Sequence, residues 1–198
     1  MLTIHTADLL IPGGGRPPLP DGAVLVEGRG IAAVQAYDDL VAAHPTARVR
    51  RWPGVLTPGL LNPYGPELLE HAYHPDLRED LGSEPITDPA RLDMTDAQWG
   101  ASARRGVQRM LAHGCVAVAG VLRRRAVIDA VHRAGLTIER RLADPVGPPS
   151  LDPLSGRSLA EAAPTPLGTE ATFTVFDTPE LTTCVATVIK GRLLHRRR

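Results

Sequence analysis

Cysteine is scarce, with two in 198 residues, and that scarcity excludes a fold framed by disulfides. Cys115 and Cys184 both lie in apolar, strand-like runs, so they read as buried free thiols in a reducing compartment, taken as the cytoplasm. Aromatic residues make up only 4% of the chain, which leaves the core to be packed mainly with Leu, Val and Ala. A surplus of charge is absent too: 22 Lys and Arg balance 22 Asp and Glu, and nothing in that total draws the chain to nucleic acid or an anionic membrane. No apolar run approaches the roughly 20 residues that span a bilayer. Residues 1–10 have neither a basic n-region nor a long apolar block, so no signal peptide is expected. Lys190 is the single lysine, a bias to which no functional weight attaches.

The balance of charge hides a division. Residues 65–96 hold nine acids against Arg78 and Arg91, and residues 97–141 hold nine arginines against Asp129 and Glu139. An acidic loop folded over basic helices is the plain expectation, and a charged partner or ligand groove is the alternative.

Strand patterns fill both ends of the chain. Residues 2–4, 9–11, 23–27 and 31–34 are β-rich, and the Gly28-Arg29-Gly30 step between the last two predicts a hairpin. Residues 172–177 alternate with period two, residues 182–189 are β-branched, and Gly191 separates them from a last strand over 192–195. The middle differs in kind. Thr95 is placed to cap a helix over about 96–112, whose apolar positions Trp99, Ala103, Val107, Met110 and Leu111 keep helical spacing up to the Gly114 stop. A buried-strand run at 115–119, a helix over 123–134 ending at Gly135, and a short strand at 136–139 follow. With residues 55–61 as a first strand, the order is βαβαβ and predicts a parallel sheet. Residues 143–168 hold six prolines and read as a connector.

The motifs DGAVLVEGRGIAAV at residues 21–34 and PGVLTPGLLN at 53–62, with FTVFD at 173–177 and VATVIKGRLLHR at 185–196, resemble the metal-dependent amidohydrolase superfamily. The nearest branch is that of imidazolonepropionase and aminodeoxyfutalosine deaminase. The resemblance implies a mixed α/β fold: a composite β-sandwich from residues 1–54 and 170–198, a βαβαβ fragment of a reduced, truncated TIM-like barrel over 55–142, and a Pro-rich connector over 143–169. A length of 198 residues cannot hold a sandwich and a complete eight-stranded barrel of roughly 250 residues.

In the family the first barrel strand continues into a His-x-His pair, which sets two imidazoles on the same side of a strand to hold one metal ion. Here those positions are Asn62 and Tyr64, which ligate zinc or iron poorly but can hydrogen-bond a small ligand. The remaining family ligands need strands beyond the three read here, so no catalytic residue is assigned. A substitute site is conceivable: Glu67, Glu70, His71 and His74 stand at i, i+3, i+4 and i+7, and a helix would place them on one face as metal ligands. Asp76, Glu79 and Asp80 could add to them. The bland alternative is a solvated face. Cys115 reads as a core thiol, Arg123 to Arg125 as a helix start, Arg196 to Arg198 as a tail, and Gly13 to Gly15 as a loop lacking the context of a phosphate loop.

The expectation is therefore an amidohydrolase-like protein without the inherited metal motif and without a cofactor. It would be non-catalytic or regulatory and act through self-association, as a homo-oligomer, or through a protein partner, with no nucleic acid and no membrane. The alternative is a residual zinc-type hydrolase of non-peptide C–N bonds using Glu67, His71 and His74.

Overall fold

Alternation of apolar and polar residues builds two facing sheets. The first carries, in order, β5 (Gly30–Ala36), β4 (Gly22–Glu27), β1 (Leu2–Thr6) and β6 (Arg48–Arg51). The second carries β13 (Arg192–Arg196), β12 (Cys184–Ile189), β11 (Phe173–Phe176), β7 (Val55–Pro58), β2 (Leu9–Leu10) and β3 (Leu19–Pro20). The computed structural model describes residues 1–76, 78, 79, 81, 82, 84–88 and 94–197. Asp80, raised above as an added ligand, and Arg198 of the basic tail lie outside them.

The expected hairpin pairs β4 with β5 through Gly28 and Arg29. Along β4, Val24 and Val26 face the second sheet, where they meet Leu10, Leu56, Phe173, Val175 and Val188. The intervening Ala23 and Leu25 turn to the other side and pack with Ile4 against Leu40 of α1 (Tyr37–Ala43). Both sides of β4 are thus buried, which explains its unbroken apolar run. Strands from the two ends of the chain meet where β7 pairs with β11.

The first barrel-like strand is not continuous. Gly59 divides it, so that β7 stays in the sandwich while β8 (Leu60–Asn62) pairs parallel with β9 (Cys115–Ala119). A Cβ at Gly59 would overlap the Val116 side chain, and only glycine lets the chain change sheets there. The boundary of the sandwich therefore falls at Pro58 and not at residue 54. β10 (Thr137–Glu139) completes a parallel sheet in the order β10, β9, β8.

The helices match their signals. α3 (Asp96–Leu111) starts at a capping box: the Thr95 side chain accepts from the Gln98 amide, and the Gln98 side chain accepts from the Thr95 amide at 2.9 Å. Its apolar stripe packs with α4 (Arg125–Arg133), so that Val107, Met110 and Leu111 meet Val118, Val127 and Val131 in a second core. Residues 143–169 are more than a linker: α5 (Leu159–Ala162), capped by Ser158 and Glu161, sets Ala162 and Ala163 against Leu60, Phe176 and Cys184.

One helix is shorter than expected. α2 (Gly65–Leu69) has five residues and does not reach His74. The amides of Glu70 and His71 both return to the Pro66 carbonyl, which closes the end, and the chain then runs extended into Pro75. No helix among the described residues is long and apolar enough to cross a membrane.

Candidate functional site at the carboxyl ends of the parallel strands

Parallel strands leave their carboxyl ends facing one crevice, which is where such folds place ligands. Here that end is formed by residues 62–71 after β8, 120–124 after β9 and 140–147 after β10. Asn62 is fully buried, and its Nδ2 donates to the carbonyls of Ser150 and Leu151 at 2.9 and 3.3 Å while its Oδ1 accepts from the Tyr64 amide at 2.9 Å. The Tyr64 hydroxyl lies 2.8 and 3.1 Å from the carbonyls of Val146 and Gly147. Asn62 and Tyr64 thus hold down the connector, and the Cys115 thiol adds a contact to the Leu151 carbonyl at 3.8 Å. Burial pushes that thiol far above its usual range, so it stays protonated. Both cysteines are buried and free.

Beside this plug lies a cavity of about 430 Å³ lined by Glu67, Glu70, His71, Arg123 and Arg141 with Pro66, Gly120 and Val121. Glu67 sits in a two-pronged pair with Arg141, Oε1 to Nη1 at 2.9 Å and Oε2 to Nη2 at 2.6 Å. Burial is the largest single influence and opposes the Glu67 charge, but the Arg141 hydrogen bonds, a backbone amide and the charges of Arg141 and His71 together outweigh it and hold the carboxyl below its ordinary range. The same bonds push the Arg141 guanidinium further up, and its Nε is left buried without a partner. Glu70 is 7% exposed, and its Oε1 accepts from the amides of Arg123 and Arg124 at 2.7 and 2.5 Å, at the start of α4.

His74 has left this group. It is fully buried on α3, in space opened by Gly106, where a Cβ would strike the imidazole. Nε2 donates to the Leu68 carbonyl at 2.7 Å, which leaves the Nδ1 lone pair facing the Arg109 guanidinium at 3.5 Å. Burial lowers its pKa, the Leu68 bond partly restores it, and Arg109 and Arg105 lower it further. The four sequence candidates therefore do not share a helix face: Glu67, Glu70 and His71 border one cavity, and His74 is a core residue. The short α2 is the physical reason.

Tested for a metal, this set fits poorly. Both Glu67 oxygens and one Glu70 oxygen are already hydrogen-bonded, and Asn62 and Tyr64 are committed to the connector. Among the described residues no group of three His, Cys, Asp or Glu side chains is placed to hold a metal ion. What the arrangement can do is recognise: a rigid arginine, a carboxylate and an exposed imidazole around a small cavity.

Part of the acidic segment does fold over the basic helix. Arg105 of α3 reaches Asp76 at 3.7 Å, the His74 carbonyl at 2.7 Å and the Tyr73 hydroxyl at 3.3 Å, and that hydroxyl donates to Glu79 at 2.5 Å. Sequence reasoning gave Arg141 no role of its own. The available signal was its place directly after the third strand, opposite the carboxylates that follow the first.

Among solved structures, the chain is similar in arrangement to A. niger ochratoxinase, with 24% identity over 70% of this chain and 30% of that one and a TM-score of 0.49. It is similar to Helicobacter pylori aminofutalosine deaminase at 14% identity, over 71% of this chain and 33% of that one, with a TM-score of 0.47. For a zinc-bound adenosine deaminase from Xanthomonas campestris the figures are 18%, 69%, 32% and 0.49. The chain spans about a third of the length of each of these enzymes. No family model matches the chain, and no curated protein does. The mixed α/β fold expected from the sequence, a sandwich built from strands of both chain ends beside a short parallel βαβαβ unit, is the fold described above.

Proposed function

We propose that this is an amidohydrolase-like protein that does not hydrolyse and works by binding a second copy of itself or a protein partner, in a reducing compartment that keeps Cys115 and Cys184 as thiols. The observation that carries the reading is the engagement of Asn62 and Tyr64: where the family resemblance calls for two imidazoles, an amide and a phenol are hydrogen-bonded to backbone carbonyls of residues 146, 147, 150 and 151. Association is supported by the same end of the sheet. Val121, Leu142 and Val146 are 76%, 93% and 96% exposed there, and β10 pairs only with β9 among the described strands.

A second reading, metal-assisted hydrolysis of a non-peptide C–N bond, has one observation in its favour: Glu67, Glu70 and His71 border a single cavity. It requires Arg141 to release Glu67. Purification without chelator, with zinc, iron, manganese and nickel measured alongside mass in solution, separates the two. The binding reading predicts a dimer or larger complex and less than a tenth of an equivalent of metal. Stoichiometric metal that is lost in His71→Ala, in a chain that still folds, overturns it.

A further inference from the structure

The two sheets of the sandwich part at one edge. β6 is the outer strand of the first sheet and β13 the outer strand of the second. β6 runs parallel to β1 in a register that sets Arg48 beside Thr3 and Arg50 beside His5. His5 meets the edge of Phe173 in the other sheet at a ring separation of 5.0 Å, so this is the inward face. Period two puts Arg48 and Arg50 on that face as well. Arg196 arrives from β13, and its guanidinium carbon lies 5.9 Å from the centre of the Trp52 ring.

The result is a cleft of about 180 Å³ lined by Arg48, Arg50, Arg51, Trp52 and Arg196, with no carboxylate in its wall. Elsewhere arginines find acids: Arg105 pairs with Asp76, Arg125 with Asp129 and Arg141 with Glu67. None of the four around the cleft pairs with a carboxylate among the described residues. Arg51 is fixed by the Tyr37 hydroxyl at 2.6 Å and lies 4.2 Å over that ring. The floor is uncharged: Trp52 Nε1 donates to His5 Nδ1 at 3.2 Å, and the imidazole stays neutral between the arginines.

We propose that this cleft is an oxyanion site that takes a phosphate group, gripped between Arg48 and Arg50 on one sheet and Arg196 on the other. Converging guanidinium groups without a counter-ion repel one another, and an anion between them converts that repulsion into charge-assisted hydrogen bonds. Charges on a sheet edge also discourage strand pairing, but that role needs no partner from another sheet. Here Arg50 is half-buried towards the facing sheet, and a residue of a different sheet completes the group. The volume lies below the roughly 300–1,000 Å³ of a site for a whole drug-sized molecule. It suits an anionic head, either free phosphate or the phosphate of a larger molecule whose body lies outside along Trp52.

The test is calorimetric titration of the purified chain with inorganic phosphate and with phenyl phosphate, at constant ionic strength set with sodium chloride. Saturable binding is expected, weakened at least tenfold in Arg50→Gln and in Arg196→Gln and unchanged in Arg125→Gln, whose guanidinium lies in the exposed pair with Asp129. Equal affinity for the two probes assigns the site to the free ion. Tenfold tighter phenyl phosphate assigns it to a phosphomonoester with an apolar body beside Trp52. Heat no greater than that of matched chloride overturns the proposal, as does saturable binding retained in a folded Arg48→Gln/Arg50→Gln variant.

Discussion

The sandwich edge and the carboxyl end of the parallel strands treat charge in opposite ways. At the parallel strands the carboxylates are matched: Glu67 is locked to Arg141, Glu70 caps two amides, and Asn62 and Tyr64 are bonded to the connector. At the sandwich edge four arginines converge without an acid among the described residues. The carboxylates at the end of the parallel strands have found their partners, whereas the arginines of the sandwich edge pair with no acid among the described residues. Position in a familiar fold therefore locates a crevice, and the balance of charge around that crevice decides whether anything is left for a ligand to do.

The two regions also differ in how they are tied into the chain. The sandwich joins strands from both ends, so its core depends on contacts distant in sequence, while the parallel unit is contiguous from β8 to β10 and is shielded at its carboxyl end by residues 146–151. Phe173→Ala strikes the first arrangement at its centre, a fully buried ring that touches both sheets. A loss of about 3–5 kcal/mol is expected from urea unfolding. A loss under about 1 kcal/mol would show that the sandwich is not the more tightly integrated half.

Acid should expose the sandwich next. Burial, then Arg50, then Arg48 push His5 down from 6.5 to about 4. The unfolded chain takes up its proton near 6.5 and the folded chain only near 4, so between those values the unfolded state binds more protons. Stability from this group is complete above 6.5, falls as the pH drops towards 4 and is flat below that. The full difference is about 3 kcal/mol. Unfolding midpoints at pH 7.5 and 4.5 for the parent and His5→Gln check this: the substituted chain should lose markedly less between the two, and an identical loss would refute it.

The smallest effect should be local. Asn62→Ala removes the hydrogen bonds to residues 150 and 151 and the partner of the Tyr64 amide, a cost of about 1–2 kcal/mol. Hydrogen exchange should quicken over residues 146–151 and leave β11 and β12 unchanged. Equal quickening in those strands would erase the distinction between the two regions.

Local signals were legible for physical reasons that act over a few residues. Thr95 and Gln98 satisfy each other's amides across one turn, so the start of α3 could be read directly, and Gly114 and Gly135 close α3 and α4 because their φ values of 81° and 88° favour glycine. The unbroken apolar run of β4, the alternation along β11, and the parallel order of β8, β9 and β10 follow from burial on both faces, from side-chain period and from helical crossovers. The candidate ligands were less legible, because a spacing of three and four residues forms a face only if the helix persists, and α2 closes on Pro66 after Leu69.

The sequence by itself determined most of the segments that are strand or helix and where they stop, and that Asn62 and Tyr64 follow the strand at residues 55–61. Only the tertiary structure decided that Gly59 hands the chain from one sheet to another, that His74 turns into the core, that Arg141 claims Glu67, and that Arg48, Arg50 and Arg196 meet. Each of those outcomes depends on groups far apart in the chain being brought within a few ångströms. Charge and packing act through that distance, and no local pattern encodes it.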